Sequence, residues 1–222
     1  MNVLITGGGC EEPIDNVRSI SNFSTGKTST TLASYFVEKN CKVTCIMSYK
    51  AIRPKNCKLI LFKSFSDLQK VLQDELKTKE YDLVIHAAAV SDFSINYLLI
   101  NGKKVLPNSI NKISSGNSVS IVLKENPKLI SSIKKYNSKC KLVGFKLTDH
   151  ASQKQRLEAI EKVFYNDEIS KKEFMPDLVV SNDKSEINSK IHPCKIYNYK
   201  LKEVFNTNSV LELAEFLYNY FV

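Results

Sequence analysis

The sequence has no apolar run that approaches the ~18 consecutive residues needed for a membrane-spanning helix. Its first residues, Met1–Thr6, pass directly into a strand pattern, without the basic segment and cleavage site of a secretory signal peptide. These absences predict a cytoplasmic protein that does not associate with a membrane.

Metal-binding and nucleic-acid-binding patterns are also missing. The six cysteines include no Cys-x-x-Cys pair and the three histidines are scattered, so we expect no protein-bound metal. The formal net charge is +9, but the lysines are spread along the chain and no nucleic-acid motif is present. We therefore expect no nucleic-acid partner, since a basic protein can equally serve small anionic substrates.

Strand and helix patterns alternate along the chain, which is typical of an α/β fold. Uniformly apolar strands indicate a Rossmann-like, mostly parallel sheet with helices on both faces. Strands are predicted at Asn2–Thr6, Lys42–Ser48, Lys58–Phe62, Leu83–Ala89, Leu142–Leu147 and Asp177–Ser181, with a late hairpin from Ile196–Tyr199 and Glu203–Phe205. Helices are predicted over Gly26–Lys39, after a Ser66/Gln69 capping box, from an Asn126 N-cap and Pro127, over Ser152–Tyr165, and after a Ser209/Glu212 cap.

Residues 93–123 interrupt this alternation. Turn signals at Asn101-Gly102, Pro107-Asn108 and Ser115–Asn117 separate short alternating runs, which predicts a β-rich flap. Because no repeat or low-complexity linker is visible, we expect a single domain over residues 1–222 with this flap inserted in it.

Two glycine motifs are incomplete forms of known phosphate loops. Gly7–Gly9 ends the first strand, but Glu12 stands where the dinucleotide fingerprint has its third glycine. Gly26-Lys27-Thr28 looks like the end of a Walker A loop, but Ser21 replaces its first glycine. Gly7–Gly9 alone can be a phosphate site or a tight turn without a ligand. The incomplete Walker A pattern, which also does not directly follow a strand, argues against a P-loop kinase.

A nicotinamide-dependent reductase is one alternative function. The strand His86–Ala89 resembles the fourth strand of short-chain dehydrogenases, which require a Tyr-x-x-x-Lys pair for proton transfer. The only such pair is Tyr35 and Lys39, on the first predicted helix, and no acidic residue closes the second strand to bind a ribose. A further alternative is an inert nucleotide-binding module that kept the fold.

The segment Glu12–Lys27 carries the most information. It is long for a connection between a strand and a helix, and it offers charge and neutral donors suited to anions. This string resembles the E-P-I-D-x-V-R-x-I-x-N-x-S-S/T-G-K signature of phosphopantothenate–cysteine ligases.

Later segments match the same family in the same order. They are Ala87–Phe93 for A-A-A-V-S/A-D-Y/F, Asn111–Ser115 for the K-I-S-S nucleotide loop of short monofunctional bacterial ligases, Leu142–Leu147 for the V-G-F strand, and Asp177–Asp183 for D-x-x-x-A-N-D. The resemblance covers residues from Met1 to about Asp183, and the combination is far more specific than any single motif.

The resemblance implies a two-step ligation in coenzyme A biosynthesis. The carboxylate of 4′-phosphopantothenate attacks the α-phosphate of CTP, and ATP is the alternative nucleotide. The amine of L-cysteine then attacks the acyl-cytidylate and releases CMP. Magnesium is expected with the triphosphate, held by substrate oxygens.

The family's site residues transfer position by position. Asn22 is expected to hold the activated acyl group and Lys112 to bind the triphosphate, and both are predicted as catalytic residues. Arg18, Asn22 and Ala89 are expected at the substrate. The other nucleotide-contact positions are Gly8, Gly9, Ser24, Gly26, Lys27, Ala88, Asp92, Asn126, Pro127 and Phe145, of which Phe145 fits a core role equally well.

The chain departs from the family at several positions. Ser114 and Ser115 replace two lysines of the K-x-K-K form, and Phe174 stands where a phosphate-binding lysine is often found, with Lys171 and Lys172 displaced. The resemblance also implies a homodimer paired through the flap. The flavin-binding decarboxylase domain that often precedes this ligase is not in the sequence, so we expect no flavin and a separate decarboxylase protein.

Overall fold

The computed structural model describes residues 1–107, 111–166, 168–169 and 171–222. The strands are Asn2–Gly7 (β1), Glu11–Pro13 (β2), Ser19–Ser21 (β3), Lys42–Ser48 (β4), Lys58–Phe62 (β5), Leu83–His86 (β6), Phe93–Ile100 (β7), Lys103–Val105 (β8), Val119–Glu125 (β9), Lys141–Thr148 (β10), Leu178–Asp183 (β11), Cys194–Asn198 (β12) and Glu203–Thr207 (β13). The helices are Lys27–Glu38 (α1), Phe65–Thr78 (α2), Ile130–Tyr136 (α3), Gln153–Phe164 (α4) and Val210–Phe221 (α5).

The main sheet confirms the mostly parallel α/β fold. Its strand order is β13-β12-β11-β10-β6-β1-β4-β5, in which only β12 and β13 run antiparallel to their neighbours. The chain moves from β1 to β4 and β5 on one side, then crosses to β6, β10 and β11 on the other. The carboxyl ends of β1 and β6 therefore flank the switch point at which ligands bind in such sheets.

Helices cover both faces of this sheet because its central strands are apolar on both sides. In β1, Val3 and Ile5 face a core shared with α1 and α5, whereas Leu4 faces a core shared with α2 and α3. A further cluster packs α4 against β11 and β12. No helix in the part of the chain that the structure describes has both the length and the apolar character needed to cross a membrane.

The predicted flap is a separate antiparallel sheet in the order β8-β7-β9. Asn101 (φ 50°) and Gly102 (φ 80°) form the turn between β7 and β8, as the Asn-Gly signal predicts. Asn108 of the predicted Pro107-Asn108 turn lies outside the described residues. Ile95, Leu98 and Ile113 form a small core inside the flap, against which Ile14 packs.

Two predicted helix caps and one predicted strand end are wrong. The capping box of α2 is Ser64 with Asp67, not Ser66 with Gln69, because the helix already begins at the buried Phe65. The predicted Asn126 N-cap is also wrong: its side chain donates to Ser91 O and accepts from Ser94 Oγ, so it cannot cap, and α3 begins only at Ile130.

The third correction concerns β6, which ends at His86 rather than Ala89. Beyond His86 the chain leaves the regular ladder and makes a single bridge, between Ala89 and Gly9. The loop Ala87–Val90 therefore lies at the carboxyl edge of the sheet, outside its strands.

Candidate active site

The glycine loop after β1 and the loop Ala87–Val90 after β6 are joined by backbone hydrogen bonds. Ala89 N donates to Gly8 O at 2.8 Å, and Cys10 N donates to Ala89 O at 3.1 Å. This pairing closes the floor of the crevice between β1 and β6. It brings together four predicted site residues: Gly8, Gly9, Ala88 and Ala89.

The glycines are required by close packing of this floor. Gly8 has φ +83°, and a Cβ there would lie 2.2 Å from Ser48 Oγ. A Cβ on Gly9 would lie 2.2 Å from the carbonyl oxygen of Asn22. The tight-turn interpretation of these glycines is therefore sufficient to explain their identity, and any contact with a phosphate comes in addition to it.

Asn22 is fixed against the same floor by three hydrogen bonds. Its backbone N donates to Cys10 O at 3.2 Å, and its Nδ2 donates to Val90 O at 3.0 Å and to Ala89 O at 3.4 Å. Two carbonyl acceptors on one side set the orientation of the carboxamide and leave Oδ1 on the other side. The sequence prediction placed Asn22 in the site, and the structure brings it to the crevice.

The N-terminus of α1 opens beside this floor. Its N-cap is Gly26, with φ 74° and no side-chain cap, and the first helical amide, Lys27 N, makes only a long hydrogen bond, to Thr25 Oγ1 at 3.4 Å. A Cβ on Gly26 would lie 3.5 Å from Gly8 N, which shows how closely the two loops approach. The absence of a cap from the N-cap residue and the helix dipole make this end suitable for an anion, with exposed Lys27 and half-buried Ser24 beside it.

His192 adds a residue near α1 that the sequence analysis did not single out. Burial lowers the pKa of His192, and the positive charge of Lys27 lowers it further. Its segment is held by Asn182 Nδ2, which donates to Pro193 O at 2.8 Å. A scattered histidine in a loop carries no sequence signal that would have identified it.

Residues 11–21 form a hairpin that sequence patterns did not predict. Strands β2 and β3 pair antiparallel, and Asp15 in the turn between them is buried. Asp15 accepts from Arg18 Nη2 at 2.5 Å, from Val17 N at 2.9 Å and from Arg18 N at 2.8 Å. The Arg18 guanidinium and these amides, together with that of Ile113, hold the pKa of the Asp15 carboxyl well below its usual range.

The same carboxylate attaches the flap segment that contains Lys112. Ile113 N donates to Asp15 Oδ2 at 3.0 Å, and Arg18 Nη2 donates to Ile113 O at 2.8 Å. Lys112 itself is exposed, directly before the anchored Ile113. Arg18 and Lys112 are thus brought together, but about 13 Å of extended chain separates Arg18 from Asn22.

The remaining nucleotide-contact positions form a second group beyond Ala88. Asp92 Oδ1 accepts from Lys128 Nζ at 2.6 Å, and Asn126 N donates to Asp92 O at 2.8 Å. Pro127 and Asn126 also line a cleft of about 430 Å³ between the flap and the start of α2. Phe145 is half-buried and packs partly against the sheet core, so its position agrees with either predicted role.

The lysines near Phe174 point to aromatic rings in this structure. Lys172 Nζ lies 4.3 Å from the Tyr199 ring centroid, and Lys171 Nζ lies 5.9 Å from that of Phe174. Among the residues that the structure describes, no group of three His, Cys, Asp or Glu side chains is arranged to hold a metal ion.

Cys10 lies in the floor formed by the glycine loop and the loop Ala87–Val90, but its thiol is unreactive. Burial raises the pKa of the Cys10 thiol to about 11, although a backbone hydrogen bond from Ser91 lowers it in part. The group is therefore a neutral thiol at physiological pH, and a neutral thiol is a poor nucleophile.

A family model described as the DNA/pantothenate metabolism flavoprotein C-terminal domain matches residues 1–213. The chain belongs to this family. The family resemblance inferred from the sequence motifs is thereby confirmed.

Relatives and solved structures agree with this membership. The coenzyme A biosynthesis bifunctional protein CoaBC of Thermococcus kodakarensis is 32% identical over 160 residues, which are 72% of this chain and 37% of that protein. The CoaBC protein of Borreliella burgdorferi is 30% identical over 216 residues, which are 96% of this chain and 48% of that protein. The chain therefore spans less than half the length of these curated relatives.

The crystal structure of the DNA/pantothenate metabolism flavoprotein from Streptococcus pneumoniae superposes with a TM-score of 0.84 at 26% identity, over 99% of this chain and 97% of that one. The two folds are thus alike over almost the whole length of both chains.

Replacing Asp15 by asparagine should release the flap segment around Lys112. Asparagine keeps one acceptor oxygen, whereas the carboxylate accepts from Arg18, from two turn amides and from Ile113 N. We expect hydrogen–deuterium exchange in residues 111–117 to accelerate by more than about tenfold. The matched control is Glu11→Gln. Glu11 lies in the same hairpin, and this change breaks its ion pair with Lys50, which lies outside the hairpin. Equal exchange in the two variants would show that Asp15 is not the anchor.

Proposed function

We propose that this chain is a phosphopantothenate–cysteine ligase of coenzyme A biosynthesis, working as one domain with an inserted flap. The observation that carries the proposal is the position of Asn22. The family's signature residue lies on the glycine-loop floor at the switch point of the sheet, near the N-terminus of α1, where the N-cap Gly26 has no side chain to cap the helix. The CoaBC names of the relatives support the same pathway.

A solved structure of the same fold has phosphopantothenate-cysteine bound. A Cab2 mutant was crystallised in complex with phosphopantothenate-cysteine, and its fold matches this chain with a TM-score of 0.76 at 17% identity, over 99% of this chain and 86% of that one. At that identity the likeness carries the fold alone. The substrates assigned here therefore rest on the signature motifs, and we transfer them as part of the proposal.

The proposed chemistry has two balanced steps. The carboxylate oxygen of 4′-phosphopantothenate attacks the α-phosphorus of CTP, and the bond to the β-phosphate breaks to release pyrophosphate. The cysteine amine then attacks the acyl carbon, loses a proton, and CMP leaves with the electron pair of the acyl–oxygen bond. Activation is needed because a free carboxylate has no adequate leaving group. Magnesium enters with the triphosphate, whose oxygens are ligands that it prefers.

The first step brings anions together, so it requires positive potential near the phosphates. The α1 N-terminus, Lys27 and Lys112 are the groups that we assign to this task. The Arg18 guanidinium donates hydrogen bonds to Asp15 and to Ile113 O. We therefore propose that Arg18 positions Lys112 as well as contacting the substrate. CTP is the proposed nucleotide, with ATP as the alternative.

The proposal is tested by pyrophosphate release from purified protein with 4′-phosphopantothenate, magnesium and either CTP or ATP, with and without cysteine. We expect release that depends on phosphopantothenate, and amide product only when cysteine is present. Absence of release with both nucleotides would overturn the ligase assignment. Retained nucleotide binding would then indicate the inert module, and binding of NADPH would indicate the reductase.

Asn22→Asp should permit pyrophosphate release but block transfer to cysteine. The new carboxylate cannot donate to the acyl oxygen and also faces the carbonyls of Ala89 and Val90. We expect amide formation to fall by about 10²-fold or more, with acyl-cytidylate accumulating in a mass-spectrometric assay. Asn198→Asp is the matched control, because Asn198 Oδ1 only accepts, from Lys200 N and Lys202 N in the turn between β12 and β13. If both half-reactions survive in Asn22→Asp, the assignment is wrong.

Lys112→Gln should suppress the first half-reaction. Glutamine keeps most of the side-chain length but removes the charge that we assign to the triphosphate. We expect pyrophosphate release to drop by at least about tenfold, which corresponds to loss of one charged hydrogen bond of 1.5–3 kcal/mol. Lys103→Gln, an exposed lysine in β8 of the same flap, should behave like the wild type. Unchanged release in Lys112→Gln would remove this role.

We further propose that a second copy of the chain covers the flap. Val119, Ile121 and Leu123 lie on one face of β9, beside Ile100, Leu98 and Ile95 of β7, yet they remain 40%, 37% and 44% exposed. Such a β-branched and aliphatic stripe, continuous with the core of the flap, suits a self-complementary interface.

Ile121→Lys should therefore convert a dimer to a monomer, as measured by light scattering after size-exclusion chromatography. A lysine in the centre of an apolar interface is left without a partner and loses its solvation. Ser120→Lys adds the same charge on the opposite face of β9 and should leave the dimer intact. A wild-type protein that is monomeric at micromolar concentration would contradict the proposal.

A further inference from the structure

A buried histidine and threonine lie directly beneath the loop Ala87–Val90. His86 is the last residue of β6 and is 6% exposed, and Thr6, its neighbour in β1, is fully buried. Their side chains meet through Thr6 Oγ1 and His86 Nδ1 at 3.0 Å. Neither residue belongs to the motifs that identify the family, and the mechanism proposed above uses neither.

The hydrogen bonds around Thr6 determine which atom of His86 carries the proton. Burial lowers the pKa of His86 to about 4, so its imidazole is neutral at physiological pH. Thr6 Oγ1 already accepts from Ala88 N at 3.1 Å. Its own hydrogen needs an acceptor, and among the described contacts of Thr6 Oγ1 only Nδ1 can serve. Nδ1 is therefore the acceptor and the proton lies on Nε2.

This relay satisfies an amide that the sheet leaves unpaired. Because β6 ends at His86, Ala88 N lies beyond the ladder, and the Thr6 hydroxyl takes the place of a strand partner. The backbone of Thr6 is itself tied to α1, since Ser29 Oγ donates to Thr6 O at 2.9 Å. The direction of the Ala88 amide is thus set by the side chains of Thr6 in β1, His86 in β6 and Ser29 in α1.

The same loop holds Asn22. Ala89 O and Val90 O, which accept from Asn22 Nδ2, follow immediately after Ala88. A rotation of the peptide at Ala88 would move these carbonyls and the nucleotide-contact position together. The orientation of the loop is therefore coupled to the orientation of Asn22.

We propose that Thr6 and His86 are positioning residues, which fix the Ala88 amide and so hold the Ala87–Val90 loop in the shape that receives the nucleotide. This inference rests on the proposed ligase function. Neither side chain needs to touch substrate; both act through the backbone of Ala88.

Isosteric substitutions test the relay. Thr6→Val removes the hydroxyl and leaves Ala88 N without a partner, and we expect the KM for the nucleotide to rise about tenfold. His86→Leu removes only the acceptor and should raise this KM several-fold. Thr6→Ser keeps the hydroxyl, and His86→Asn puts an amide oxygen acceptor in the place of Nδ1, so both should give values near the wild type. In the double variant Thr6→Val/His86→Leu the effects should not add, because both act on one relay.

Thr44→Val is the matched control. Thr44 is also buried in the sheet, in β4, where it pairs with Leu4, two residues before Thr6 in β1 and thus farther from the carboxyl edge. It should lower thermal stability without changing the nucleotide KM, which separates loss of stability from loss of positioning. Unchanged nucleotide KM in Thr6→Val and His86→Leu, or strictly additive effects in the double variant, would overturn the proposal while leaving the ligase function standing.

A measurement on the wild type does not depend on these variants folding or on activity. Nitrogen-15 NMR of His86 should show an unprotonated Nδ1 and a protonated Nε2 at neutral pH, and the Ala88 amide should be protected from hydrogen exchange. A proton on Nδ1, or rapid exchange at Ala88, would overturn the relay. Absence of pyrophosphate release by the wild type would instead count against the ligase function.

Discussion

The pairing of the glycine loop with Ala89 is the contact on which the rest of the site depends. At the switch point, the chain continues from β1 to one side of the sheet and from β6 to the other. The regular pairing of β1 with β6 therefore does not by itself hold together the loops that follow them. The bridge between Gly9 and Ala89 does so through backbone atoms alone. It requires a Gly9 without Cβ, because the carbonyl of Asn22 occupies that space.

A second constraint is the buried charge of Asp15. A carboxylate without solvent must be satisfied by donors, and here Arg18 and three amides supply them. One of these amides belongs to Ile113, some hundred residues away in the chain, so a turn-forming residue also fixes the flap on the hairpin. The placement of Lys112 is thus a consequence of desolvating one carboxylate, and not of any regular secondary structure around it.

Much of the fold could be predicted because its signals are periodic and local. The apolar runs at β1, β4 and β6 and the Asn-Gly turn of the flap each carry their own pattern. The hairpin β2–β3 could not be predicted in this way, since three-residue strands are too short to show a period of two. Its position depends on distant partners, such as Phe65 N, which donates to Glu12 Oε1 at 2.8 Å. Asn126 shows the opposite case, in which a local signal was misleading. Its residue type favours an N-cap, but its side chain hydrogen-bonds to Ser91 O and Ser94 Oγ instead.

The candidate site was predicted through motif resemblance, and physical reasoning on the residues alone would have missed most of it. Asn22 belongs to no periodic pattern and carries no charge, so residue-level reasoning had no signal for it. Its proposed role requires that one of the hydrogen bonds donated by Nδ2 be exchanged for a bond to the substrate. Nδ2 carries two hydrogens and has a shorter bond to Val90 O at 3.0 Å and a longer one to Ala89 O at 3.4 Å. Under the proposed mechanism the longer, weaker bond is the one exchanged for the acyl oxygen, while the bond to Val90 O keeps the donor in place. A donor held by one strong bond is already oriented when negative charge develops, which is the condition for transition-state stabilisation without reorganisation.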